Sequence, residues 1–130
     1  KHSAILLDRN QGSKSEPWAL QEEEAGKLVT HILAKAELRM LGSSGLHSAL
    51  TAYGENRVVG HITANVSGVW DIVGGLLVQR AGGVCHGYRL GARGPSVQDT
   101  SHFLTSHMIV SANSVATAYE LIGMVRTSLF

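Results

Sequence analysis

A single α/β domain covering residues 1–130, with a mostly parallel or mixed sheet flanked by helices, is predicted by three observations. Short apolar runs alternate with longer segments of helical spacing along the whole chain. Small residues, chiefly Gly and Ser, punctuate the junctions between them, where helices start and stop. The 130 residues amount to roughly one domain, since domains run about 100–200 residues. Composition agrees: 44% of residues are hydrophobic and 16% charged, against about 25% charged in ordinary soluble domains, and this excludes a disordered chain.

The elements follow in order. Ser3–Asp8 is a short apolar run closed by the polar turn Arg9-Asn10-Gln11-Gly12, and reads as a buried strand. Over 17–36, Pro17 stands near the first turn, Glu22, Glu23 and Glu24 come early, and Lys27 and Lys35 come later. Leu20, Leu28, Ile32 and Leu33 recur at helical spacing, so this is a helix. A short strand is expected at 38–41. The segment Gly42-Ser43-Ser44-Gly45 opens a second helix, which Gly54 ends, and 58–63 is a strand. Over 70–81, Ile72, Leu76, Leu77 and Val78 mark a third helix stopped by Gly82-Gly83. A strand at 84–88, a long loop at 91–106, a strand at 108–111 and a terminal helix to about Ser128, capped by Asn113 or Ser111, complete the chain. No internal repeat, low-complexity tract or linker interrupts it.

Several function classes drop out. A net charge of +1 with no basic stripe gives no indication of a nucleic-acid surface. No apolar run approaches the roughly 18 residues of a membrane span, so the chain is expected to be soluble with no membrane partner. The start KHSAILLDRN is no secretory signal, and the opening Lys1 implies an upstream portion lost by processing or fragmentation, or left outside this sequence. The lone Cys85 forms no intrachain disulfide, suits a reducing intracellular compartment, an organelle included, and is expected in the core. Phosphate-loop, dinucleotide, His-Glu-x-x-His and Cys-x-x-Cys motifs are all missing. The seven histidines lack close metal-ligand spacing and are expected to be solvated or singly hydrogen-bonded; the sequon at Asn65 is read as chance.

Two strand-to-helix junctions carry short polar residues, Gly42–Gly45 and Trp70-Asp71. Unsatisfied backbone N–H groups and the helix dipole favour anions at such positions. Ser43, Ser44 and Asp71 serve equally as ordinary helix caps. A Mg²⁺ role for Asp71 needs further carboxylates around it, because the ion takes six oxygens in an octahedron.

Five segments in order carry a resemblance: Arg39-Met40-Leu41-Gly42-Ser43-Ser44-Gly45-Leu46, Ala52-Tyr53-Gly54, Trp70-Asp71-Ile72-Val73-Gly74-Gly75, Ala81-Gly82-Gly83 and Ile109-Val110-Ser111-Ala112-Asn113. Together they resemble the C-terminal half of the inositol monophosphatase family over nearly the whole chain. The resemblance implies an α/β half that supplies Asp71 as a metal ligand, with Gly42, Ser43 and Ser44 facing substrate hydroxyls. The N-terminal segments in which that family holds most of its metal-binding carboxylates, a Glu-Glu pair and Asp-Pro-x-Asp-Gly-Thr, have no counterpart here. The family's acidic substrate contact falls near Ala64 or Asn65, and no carboxylate lies between Glu55 and Asp71.

Two functions follow as expectations. One is a non-catalytic phosphatase-like domain, a structural or interaction subunit with no catalytic residue and no cofactor of its own. The other is the C-terminal half of a Mg²⁺-dependent phosphate monoester phosphatase, acting on inositol or nucleotide phosphates, which needs an N-terminal half to complete it. Either way, another polypeptide is expected to pack on the side carrying Gly42 and Asp71.

Overall fold

The computed structural model describes residues 3–9, 22–64, 73–89, 96–98 and 108–129. Its elements are β1 (Ala4–Arg9), α1 (Glu22–Leu33), β2 (Glu37–Arg39), α2 (Ser44–Tyr53), β3 (Val58–Ala64), α3 (Val73–Arg80), β4 (Val84–Arg89), β5 (Ser96–Gln98), β6 (Met108–Ala112) and α4 (Val115–Leu129). They build one six-stranded sheet in the order β2-β1-β3-β6-β4-β5. The sheet is mixed: β2, β1 and β3 run parallel, whereas β6 is antiparallel to both β3 and β4, and β5 is antiparallel to β4.

The two sheet faces differ in chemistry. On one face α1 and α4 bury Leu28, Ile32, Leu121, Met124 and Val125 against Ile5, Leu7, Ile62, Met108 and Val110, an apolar core. Alternation along each strand turns the intervening residues to the opposite face, where α2 and α3 pack. A small apolar cluster of Ala4, Leu6 and Val58, with Leu50 of α2 against it, occupies part of that face. Much of the rest is polar, for His47, Ser48 and Thr51 of α2, His61 and Thr63 of β3 and Ser111 of β6 are all buried, beside the apolar Ile109 of β6 and Val78 of α3. Cys85, paired in register with Ser111, is buried as expected.

Three local features depart from expectation. The stretch read as one long loop contains β5, which adds to the sheet edge through Tyr88 and Val97; three residues are too short a run for alternation to announce a strand. Helix α4 is capped neither by Asn113 nor by Ser111 but by Ser114, whose hydroxyl accepts from the Thr117 amide at 3.2 Å. Ser111 is a strand residue, and the Asn113 side chain instead donates to the Val58 carbonyl at 3.4 Å. A 3-10 turn, Glu55–Arg57, links α2 to β3. Residues 17–21 and 70–72, the expected first turns of α1 and α3, lie outside the described residues.

Candidate functional site

The Gly42–Ser44 segment follows the carboxyl end of β2 and opens α2, the place where parallel α/β sheets offer crevices for ligands. Gly42 adopts φ +72°, a left-handed backbone that a side chain disfavours, although a Cβ there would meet nothing within 4 Å. The glycine is therefore required by conformation and not by close packing. Ser43, extended at φ −143° and ψ 109°, is the N-cap of α2, and its hydroxyl accepts from the Leu46 amide at 3.3 Å. Gly54, at φ 68°, closes the same helix with its amide on the Leu50 carbonyl. Gly42 and Ser43 are exposed and Ser44 is half-buried. Arg39, which leads the segment, is turned to structural work: it pairs with Glu37 at 2.8 Å and donates to the Asn56 carbonyl at 3.0 Å.

Beneath the segment lies His47, one turn into α2 and fully buried. Its Nε2 accepts from the Leu41 amide at 3.2 Å, while its Nδ1 is buried without a hydrogen-bond partner. Burial pushes the His47 pKa down, and the Asp8 carboxylate pulls it partly back. Asp8, next to last in β1, stands in register beside Thr63 of β3, whose buried hydroxyl also has no partner. A second buried imidazole, His61, contacts Thr51 through Nδ1 at 3.0 Å, with its ring centroid 6.3 Å from that of His47. Burial, with a smaller contribution from His47, lowers the His61 pKa to about 3. Both histidines make single hydrogen bonds, as expected, but neither is solvated.

Helices α2 and α3 approach closely over this layer, for a Cβ on Gly74 would overlap the Ser48 side chain. Asp71 and Trp70 lie outside the described residues, so the expected metal ligand has no described geometry. Among the described residues no group of three or more His, Cys, Asp or Glu is placed to hold a metal ion, and these residues do not by themselves fit a Mg²⁺ cage. Asp8, His47 and Thr63 were not legible as site residues. The sequence signal for Asp8 was there, a carboxylate ending an apolar strand, but nothing along the chain pairs it with His47.

Large apolar side chains are exposed on the elements that carry the polar layer. Met40 and Leu41 before α2, Leu46 in its first turn, and Val73, Leu76 and Leu77 on α3 are 43–60% exposed. No helix among the described residues is long and apolar enough to cross a membrane.

No protein-family model and no curated protein matches the chain. Solved structures do. The extragenic suppressor protein SuhB from Bartonella henselae superposes with a TM-score of 0.66 at 18% identity, covering 98% of this chain and 42% of that one. The IMPase of Thermotoga maritima gives a TM-score of 0.63 at 19% identity, over 98% and 41% respectively. The inositol monophosphatase of Anabaena (Nostoc) sp. PCC 7120 gives 0.66 at 20%, over 96% and 44%. The chain thus spans less than half the length of these structures, and its fold is that of the C-terminal part of inositol monophosphatase-type proteins.

Proposed function

We propose that this chain is a non-catalytic, inositol monophosphatase-like domain that works as an interaction subunit, docked on another polypeptide through the face formed by the β2–α2 turn, α2 and α3. The single observation that carries the reading is that six of the exposed large hydrophobic residues, Met40, Leu41, Leu46, Val73, Leu76 and Leu77, belong to the β2–α2 turn, α2 and α3, the others being Leu33, Val115 and Tyr119 elsewhere and Tyr53 at the last position of α2. Burying a whole aliphatic side chain is worth ~1.5–3 kcal/mol, so six half-exposed ones offer ~1 kcal/mol each to a partner. Monomers rarely leave apolar patches beyond a few hundred Å² open, and a specific interface typically buries about 1,200–2,000 Å² in total. The metal chemistry expected of a phosphatase needs carboxylates that this sequence does not supply.

Sedimentation of the protein at micromolar concentration, with a hydrophobic dye present, tests the docking face. Self-association or dye binding is expected, and both should fall in Leu46→Asp and Leu76→Asp. A soluble monomer that binds no dye overturns the reading.

A second reading is favoured by one specific arrangement, the Gly42–Ser44 segment opening α2 after parallel β2, with His47 of that helix near enough to Asp8 of β1 to feel its charge. Here the chain is half of a Mg²⁺-dependent phosphatase, with Asp71 as a metal ligand and Gly42, Ser43 and Ser44 facing substrate, completed by a partner bearing the missing carboxylates. Phosphate release from inositol and nucleotide phosphates with Mg²⁺, measured on this chain together with a polypeptide bearing the Glu-Glu and Asp-Pro-x-Asp-Gly-Thr segments, separates the two. We expect none from the mixture; Mg²⁺-dependent turnover abolished by Asp71→Asn would establish the second.

A further inference from the structure

We propose that His47 is a proton-sensitive latch on the Leu41–Ser43 segment: neutral, it holds the segment against α2, and protonated, it lets go. The argument starts from one hydrogen bond. The Leu41 amide can only donate, so His47 Nε2, 3.2 Å away, must carry a lone pair and no proton. A neutral ring then bears its proton on Nδ1, the atom that is buried without a partner. A proton taken from water must therefore enter at Nε2, where it would point at the Leu41 N–H. Two donors cannot bond, and the segment loses its tie.

The surroundings fix the rest of the array. Thr51 Oγ1 gives its single proton to the His47 carbonyl at 2.8 Å, so the contact with His61 at 3.0 Å is donated by His61 Nδ1. Burial keeps His61 neutral beside His47; burial also opposes the charging of His47, whereas Asp8 on β1 favours it. Thr63 of β3 adds no charge. On β2, Glu37 pairs with Arg39 and also with Arg57 of the 3-10 turn, which carries Glu55 as well. On α3, Arg80 sits in the last turn, at the helix end remote from Gly74 and its contact with Ser48.

The consequence rests on the docking reading, because Leu41 belongs to the exposed apolar face and Gly42 and Ser43 form its edge. Releasing Leu41 would disorder that edge in acid, whereas Ser43, held by the Leu46 and His47 amides, would keep the start of α2 in place. His47 is a positioning residue here, acting through the Leu41 backbone.

Nitrogen-15 NMR of the protein alone tests the latch without any partner. At neutral pH, His47 should show a protonated Nδ1 and a bare Nε2. As pH falls through the titration of His47, the hydrogen-exchange protection of the Leu41 amide, corrected for intrinsic rate, should drop at least tenfold. Protection of the Gly54 amide, bonded to Leu50 at the other end of α2, should hold. In His47→Gln, whose amide oxygen accepts but does not titrate, Leu41 protection should be independent of pH. A proton on Nε2 at neutral pH, or Leu41 and Gly54 losing protection together, overturns the latch. Docking that fails while the Leu41 titration persists overturns only the interaction reading.

Discussion

The closest approach in the functional layer is between α2 and α3, and Gly74→Ala probes it. A Cβ at Gly74 would overlap both the Oγ and the Cβ of Ser48. Ser48 is 1% exposed, and its Cβ is fixed by the helix backbone, so rotating the hydroxyl away does not clear the space. The helices must separate, which places the overpacking cost at the upper end of the usual range, ~3 kcal/mol. Alanine also gains up to ~1 kcal/mol of helix propensity over glycine, leaving a net loss of ~2 kcal/mol. Unfolding entropy of ~2.1 cal/mol/K per residue gives about 0.27 kcal/mol/K for a chain of this length, hence a fall of ~7 °C in Tm. Gly26→Ala and Gly123→Ala are the controls. Both sit in helices with nothing within 4 Å of a new Cβ, so each should gain ~0.5–1 kcal/mol. Ser48→Gly should restore most of the loss when combined with Gly74→Ala. Calorimetry on the set decides: Gly74→Ala as stable as Gly26→Ala would refute the tight crossing.

Three further outcomes are expected. Gly42→Val should cost ~1–2 kcal/mol by denaturant unfolding, through backbone strain at φ +72° alone, since the space around it is open; a neutral effect would show that the turn readjusts freely. His61 titrates near 6.5 when unfolded but at about 3 when folded, so below pH 6.5 the unfolded state binds the extra proton. Its contribution is therefore full above pH 6.5 and is lost down to about pH 3, at ~1.4 kcal/mol per pH unit, and stability curves of His61→Gln should be flatter over that window. Burial raises the Cys85 thiol to about 11, so a thiol reagent at pH 8 should label it only on unfolding; rapid labelling of the native protein would place it at the surface.

The fold was legible because its elements carry strong local signals. Apolar runs gave β1, β3 and β6, and the Ser43 cap and left-handed Gly54 bounded α2 within a residue or two. β5 escaped because its pairing with β4, and not its composition, makes it a strand. The cap of α4 was misplaced because Ser111, Asn113 and Ser114 all suit the role, and the strand register decides which is free to take it. The candidate site was legible only where it sits on local backbone. Gly42, Ser43 and Ser44 stand consecutively at a helix start, whereas Asp8, His47 and Thr63 are brought together only by strand register and the crossing of α2. Burial is also invisible in single residues: His47 and His61 look like the other five histidines until the helix is laid on the sheet.

The contrast between the two sheet faces yields a last prediction, which separates folding from function. The face under α1 and α4 is apolar, and that suffices for a core. The face under α2 and α3 buries six polar residues, and three of their groups, His47 Nδ1, Thr63 Oγ1 and Ser111 Oγ, have no hydrogen bond. A buried polar atom left unsatisfied costs ~1–3 kcal/mol, whereas an apolar group of the same shape costs nothing comparable. Thr63→Val exchanges the hydroxyl for a methyl at nearly constant volume, on a strand that favours β-branched residues. It should therefore stabilise the protein, by ~1 kcal/mol. Thr51→Val makes the same chemical change on the neighbouring helix, where the hydroxyl bonds both the His47 carbonyl and His61. There it should destabilise, by ~1–3 kcal/mol, because the His61 donor is stranded. Opposite signs for one substitution at two sites would mark Thr63 as a polar group kept at the expense of stability, beside Asp8 and beneath the Gly42–Ser44 segment. Equal signs, measured by chemical denaturation at pH 7.5 with His61 neutral in both states, would show that Thr63 is hydrogen-bonded in solution and that the polar layer is ordinary core.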